Sequence, residues 1–393
     1  MNPYKSLKSL PHDMWILFFA TLINRSGTMV LPFLALYLTQ DLKVAATSAG
    51  LLIAFYGGGA LLTAPFAGRL SDKLGALKVM IYSLLLSGIL LIVYSFIQTY
   101  EWLVVLTLVW ATTNEAFRPA NLAYISEVVP AEQRRVAYAL NRLAINIGMS
   151  IGPVAAGFLT LIDYSIIFYV DGITSIMAGI FLIYAPWQKS ENINSSTQIS
   201  EADIKTVNYS DSNKKLIYFL AAMIPISMVF FQHISTMPLF VVNELGISSA
   251  TYGLLFAINT GLVILFEVPL NDYLGKFKEG RVLAVGAFLT GLGFGGMAFC
   301  TDVLSVAITI VIWTVGEMII LPISVAYVSN IAPDNKRGSY MGFYQMIFNL
   351  AFTAGPWLGT IVMEIHGSKI LWYAIFVLGL ISTLMMLKLD KKS

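Results

Sequence analysis

Cysteine is almost missing. The 393 residues hold one, Cys300, which excludes an intrachain disulfide and any cysteine-bound metal cluster. Histidine is scarce as well: His12, His233 and His366 lie far apart and lack metal-ligand spacing, so no metal is expected. Charged residues make up only 12%, and the net charge of +2 gives no reason to expect nucleic acid as a partner. There is no Gly-Lys-Ser/Thr phosphate loop and no nucleophile elbow, so neither ATP as a drive nor an enzymatic reaction is expected, and no cofactor either.

What the chain has is apolar length. It is 57% hydrophobic with a mean hydropathy of +0.76, too apolar for a globule in water. Runs of about 20 apolar residues are what a helix needs to cross a bilayer, and lipid offers the backbone no other partner than itself. The reading is an all-α membrane protein of twelve transmembrane helices: 14–38, 47–69, 77–98, 102–126, 138–161, 165–185, 215–240, 249–274, 281–299, 302–328, 339–362 and 369–388. Lys5 and Lys8 precede the first span, but no small-residue cleavage site follows, so that span is expected to stay. Residues 188–214, rich in Ser, Asn, Asp and Lys, read as a flexible polar linker. They separate a first half, 1–187, from a second, 215–393.

Lysine and arginine set the orientation. With the N-terminus inside, nineteen of the 24 fall in inside segments. Lys43 and Lys369 alone lie in outside loops, and Arg25, Arg118 and Arg142 lie within spans. The positive-inside bias places both termini on the cytoplasmic side of the inner membrane.

The halves repeat each other. Trp110, Pro119, Tyr124, Pro130, Arg134 and Gly152-Pro153 return as Trp313, Pro322, Tyr327, Pro333, Arg337 and Gly355-Pro356, all displaced by 203 positions. Between spans 2 and 3 stands Gly68-Arg69-Leu70-Ser71-Asp72-Lys73-Leu74-Gly75-Ala76-Leu77-Lys78, a short charged turn that makes its two spans antiparallel neighbours. This G-x-x-x-D-K-x-G-x-x-K pattern and the parallel six-span repeats resemble the major facilitator superfamily of transporters, over essentially the whole chain. The resemblance implies two six-helix bundles with a substrate site between them near the midplane. It also implies a monomer that takes a small-molecule substrate and protons, within a lipid bilayer.

It implies site residues too. Gly68, Asp72, Lys73, Gly75 and Lys78 match the family's gating loop, in which the Asp joins a charge cluster near the start of span 11, and Glu127 resembles its acidic partner. Ala76 departs from the usual basic residue. A plain topology signal is the other reading of this loop. Gly148, Gly152, Pro153 and Gly157 of span 5 resemble a motif of the proton-coupled drug and metabolite antiporters, with Ala156 where a second glycine is usual. Span 11 repeats Gly355-Pro356, which favours helix packing as its role.

Charges inside a bilayer are costly and are normally turned inward and paired. Span 1 carries Asn24-Arg25, span 4 Glu115 and Arg118, span 5 Arg142, span 6 Asp171, span 7 Gln232-His233, span 8 Glu267 and span 10 Glu317. In the family, spans 1, 4, 7 and 10 line the cavity. Glu115, Glu317 and Asp171 are the candidate proton-coupling residues. Arg25, Asn24, Arg118, Arg142, Gln232 and His233 are the candidate substrate ligands or counter-charges. Glu115 and Arg118, three apart, form either a permanent structural pair or one that opens to load a proton. Arg142 either braces the inner gate or touches substrate, His233 alone fits a hydrogen-bonded core residue, and Glu267 is expected to reach water. Export of an amphipathic organic molecule, with a metal-chelating metabolite one possibility the arginines suggest, is the expected direction. Uptake of a nutrient or organic anion by symport is the alternative, and a non-transporting sensor a distant one.

Overall fold

The computed structural model describes residues 10–130, 133–187, 209–333 and 337–389, all of whose regular structure is helical. Eleven helical segments among them are long and apolar enough to cross a membrane. The chain begins with α1 (His12–Ser26), breaks at Gly27–Met29, and resumes as α2 (Val30–Leu36) with a π-turn over Tyr37–Asp41. Then follow α3 (Ala46–Leu74), α4 (Ala76–Tyr94), α5 (Tyr100–Glu115), α6 (Phe117–Val128), α7 (Arg134–Leu159) and α8 (Ser165–Tyr184). The second half runs α9 (Tyr209–Phe230), a 3-10 turn Phe231–Ile234 and a π-turn Leu239–Glu244. It continues with α10 (Ser249–Leu274), α11 (Glu279–Gly296), α12 (Val303–Ile331), α13 (Arg337–His366) and α14 (Ser368–Met386).

Local chemistry explains where these differ from the twelve expected spans. The fourth span is two helices, because Pro119 cannot donate to the carbonyl of Glu115 and its ring crowds that carbonyl; the chain turns at Ala116. The loop expected over 68–78 is reduced to Gly75, whose φ of 89° suits glycine and few other residues. Gly68 and Asp72 therefore belong to the last turns of α3, where Lys73 complements the helix C-terminal dipole. The helix of span 7 starts at Tyr209, so 209–214 is helix rather than linker; the linker's 188–208 lies outside the described residues.

One core joins both halves at the end bearing the two π-turns. Phe33, Tyr37, Leu52 and Tyr56 share it with Phe240, Val241, Tyr252 and Trp372. At the opposite end the first half buries Met14, Leu17, Met80, Phe117, Ile125 and Leu140 among its own helices. Hydrogen bonds join the halves at the π-turn end. Gln40 Nε2 donates to Asn243 Oδ1 at 2.5 Å, and these two residues are 203 apart. Thr160 Oγ1 donates to Ser249 Oγ at 2.9 Å, and Glu364 accepts from the backbone N–H and hydroxyl of Thr47. The last two bonds lie in two seams, α3 against α13 for Thr47 and Glu364 and α7 against α10 for Thr160 and Ser249. Elsewhere apolar side chains face outward in helical stripes, such as Tyr82, Leu86, Ile89 and Val93 on α4, a surface that lipid covers and water does not tolerate.

Candidate functional site

The break in the first span is held open by a neighbour. The backbone N–H groups of Met29 and Val30 both donate to Asp171 Oδ2 at 3.1 Å. A buried carboxylate on α8 thus satisfies two amides that the start of α2 leaves without intrahelical partners. Asp171 stands at this helix start rather than among the other candidate acids. Asn24 Nδ2 donates to Ser175 Oγ at 3.1 Å, which ties the same region of α1 to α8. α7 approaches closely enough that a Cβ on Gly152 would lie 2.6 Å from the carbonyl oxygen of Thr28; Gly148 faces Arg25 in the same way. Pro153 and Gly157 instead face Gly253 and Ser249 of α10. The glycine motif therefore serves a contact within one half and a seam between halves.

Arg25, beside this break, lies within electrostatic reach of Tyr56 and Asp171, and its Nε is buried without a hydrogen-bond partner. Tyr56 on α3 is the hub of a polar chain. Its hydroxyl donates to Glu115 Oε1 at 2.8 Å and accepts from Asn114 Nδ2 at 2.7 Å. Ser87 donates to Asn114 and accepts from Trp110 Nε1. The expected Glu115–Arg118 pairing does not form. The turn at Ala116 separates the two on different helices, Glu115 takes a phenol as donor, and Arg118 is exposed. Arg118 lies within electrostatic reach of Tyr344 on α13, so it faces the other half.

The second half repeats the arrangement with different residues. Asn259, which stands 203 positions after Tyr56, donates from Nδ2 to Glu317 Oε2 at 2.7 Å and to Thr314 Oγ1 at 3.0 Å. Glu317 itself is 203 positions after Asn114. Each half thus holds a carboxylate of its fourth span on a neutral hydrogen-bond donor from its second span. Gln232 fills the break of the seventh span: its amide donates to the carbonyls of Met228 and Gly355 at 3.0 and 2.9 Å and accepts from Thr236. Gly355 packs on Met228, with Pro356 next to it inside α13. His233 places Nδ1 2.6 Å from the carbonyl of Phe230, which requires the proton on Nδ1. Its ring sits among Phe230, Phe231, Phe256 and Trp313. That is a packed core histidine.

Arg142 and Glu267 meet across the α7–α10 seam as an ion pair, the arginine side chain 48% exposed and the glutamate 11%. Glu267 is therefore sequestered, contrary to the expectation that it reaches water. In the gating-loop group, Lys73 and Lys78 are exposed and Glu127 is exposed at the end of α6. The side chain of Asp72 and the surroundings of Gly68 lie outside the described residues, so the expected cluster around Asp72 does too. Lys73 borders a groove of about 610 Å³ with Leu62, Phe66 and Leu70 of α3 and Thr112 of α5.

The sequence reading missed Tyr56, Asn114 and Asn259. A signal existed: polar residues at positions 56 and 259, equivalent in the repeat, interrupt otherwise apolar runs.

The family model described as Major Facilitator Superfamily matches residues 14–316 and again 217–393. The chain belongs to the Major Facilitator Superfamily. Among similar proteins of the superfamily is the uncharacterized MFS-type transporter YqjV of Bacillus subtilis, 26% identical, covering 93% of this chain and 89% of its own length. Multidrug resistance protein 2 of the same organism is 24% identical, covering 93% and 92%. Among solved structures, a D-xylose-proton symporter has the same fold, with a TM-score of 0.76 at 16% identity over 95% and 96% of the two chains. This superfamily member is a transporter of many membrane-crossing helices and not an enzyme.

Proposed function

We propose that this transporter exports a small amphipathic organic molecule in exchange for protons. It would do so by alternating access of two six-helix halves, residues 1–187 and 215–393, linked through 188–214. In this reading twelve spans cross the inner membrane, with both termini and the linker cytoplasmic, and the unit is a monomer. The observation that carries the proposal is the matched pair of hydrogen-bonded carboxylates, Tyr56 to Glu115 and Asn259 to Glu317. An intramembrane carboxylate held by a neutral donor has no ion pair of its own, and a proton or a substrate cation can supply the missing charge. Because the two acids sit on opposite halves, rocking changes the side from which each is reached. Arg25 and Arg118 serve as counter-charges or receive an anionic group of the substrate. The similarity to multidrug resistance protein 2 supports export.

The test is proton movement in proteoliposomes under an imposed pH gradient, challenged with lipophilic cations, organic anions and chelators, beside Glu115→Gln and Glu317→Gln. A compound that dissipates the gradient in the wild type and not in a variant supports antiport through that carboxyl. Compound moving with protons in the same direction replaces export by symport. Compound flux with no proton flux in any variant removes proton coupling.

A further inference from the structure

We propose that the Arg142–Glu267 ion pair is a proton-releasable clamp between the two halves, closed while Glu267 is charged and opened when it takes a proton. The inference rests on the alternating-access reading above, and it gives Glu267 and Arg142 a part in coupling.

Each partner is fastened to a different half. Arg142 follows Asn141, whose Oδ1 accepts from Asn121 Nδ2 at 2.9 Å and from Thr21 Oγ1 at 3.4 Å, so this turn of α7 moves with α1 and α6. Glu267 lies one turn before Asn271, whose Nδ2 donates to the carbonyl of Met318 on α12 at 2.9 Å. With Asn259 bonded to Glu317 further along, α10 moves with α12. Rocking of the halves therefore pulls directly on the pair. Separation would leave the charge of Glu267 nearly buried and unpaired, which is costly, whereas a protonated Glu267 carries no charge to strand.

Among the described residues, the other seam shows no ion pair at the equivalent place. By the 203-position repeat, Glu267 corresponds to Ala64 on α3 and Arg142 to Gln345 on α13, and Gln345 donates within its own helix to Asn349. At these equivalent positions the charge is thus placed on one side of the pseudo-twofold, which packing alone does not require. Of the charged groups on elements packed against α10, Glu317 on α12 lies within electrostatic reach of both Glu267 and Arg142. α7 also carries Arg134 and Arg135 in its first turn, and Glu244 on the π-turn accepts from Ser368 at the far end. Arg142 is thereby the shared counter-charge of two acids of the other half, and a proton arriving at Glu267 frees it to turn toward Glu317.

The experiment uses the full chain with Cys300→Ser, which removes its single cysteine. Spin labels are attached at Tyr138→Cys on α7 and Tyr273→Cys on α10, both exposed near the clamp. Electron-electron distances are read in nanodiscs at mildly alkaline and mildly acidic pH. The expected result is a short distance at alkaline pH and a longer population at acidic pH. Glu267→Gln is expected to give the longer population at both. Arg142→Gln, a change at the more exposed partner, serves as a second test should Glu267→Gln not fold. Arg142→Glu with Glu267→Arg is expected to restore the short distance. A wild-type distance that ignores pH, or a Glu267→Gln or Arg142→Gln protein whose distances match the wild type at both pH values, overturns the clamp. Proton flux of the same variants in proteoliposomes keeps the two readings apart: a pH-switched distance without coupled flux sinks proton-driven transport and leaves the clamp standing.

Discussion

Asp171→Ala removes the acceptor that caps α2, and its cost can be worked from the geometry. Two backbone N–H groups, of Met29 and Val30, each lose a 3.1 Å bond to a carboxylate that is only 6% exposed. An unsatisfied buried amide costs about 1–3 kcal/mol, so the pair amounts to about 2–6 kcal/mol, less whatever water enters the vacated space. Asp171→Asn keeps a carbonyl oxygen at the same place and is expected to lose about 1–2 kcal/mol, as the two charge-assisted bonds become neutral. Thermal unfolding in detergent, followed by tryptophan fluorescence, should show a melting point several degrees lower for the alanine variant and a small change for the asparagine one. Proton-coupled flux of Asp171→Asn should stay near wild type, because a cap needs an oxygen and not a titrating group. The reasoning fails if Asp171→Ala melts with the wild type. It also fails if Asp171→Asn folds and moves substrate but no longer moves protons, which would return Asp171 to the coupling residues.

Four further outcomes are expected. Gly152→Ala puts a methyl 2.6 Å from the Thr28 carbonyl and should destabilise by about 1–3 kcal/mol. Gly58→Ala on α3 meets open space and should stabilise by about 0.4–1 kcal/mol; melting curves of the two variants check the sign. Gln40→Ala removes the bond to Asn243 and should speed amide exchange in Tyr37–Asp41 and Leu239–Glu244 about 2- to 10-fold, from a bond worth about 0.5–1.5 kcal/mol. Asp302 caps α12, and the Ser305 backbone N–H, helped by the Ser305 side chain, holds its carboxyl below the usual carboxylate range. A depressed value in the folded chain means that the cap stabilises above the ordinary carboxylate pKa and is lost as pH falls through the lowered one. Exchange at Val303–Val306 should therefore rise on strong acidification, and Asp302→Asn should flatten that rise.

The sequence by itself determined the class and the plan. Apolar runs of bilayer length, the 203-position repeat and the Gly68–Lys78 pattern were enough for a membrane-embedded transporter of the Major Facilitator Superfamily, because burial in lipid leaves the backbone little choice but helix. It also singled out Glu115, Glu317 and Arg142, since a charge in an apolar run stands out. Partnership was another matter. Glu115 and Arg118 are three apart, yet the break before Pro119 turns them to different neighbours, and Glu115 finds Tyr56, 59 positions away. Asp171 reads as an intramembrane acid like the others until the backbone of Met29 and Val30 is seen pointing at it. Arg142 meets Glu267 only because α7 and α10 run antiparallel along a seam between halves. Hydrophobic length and periodicity are properties of single segments and are written in the sequence. Which carboxylate faces an arginine, a phenol or a helix start depends on the mutual rotation and breaks of helices distant in the chain, and packing alone sets those.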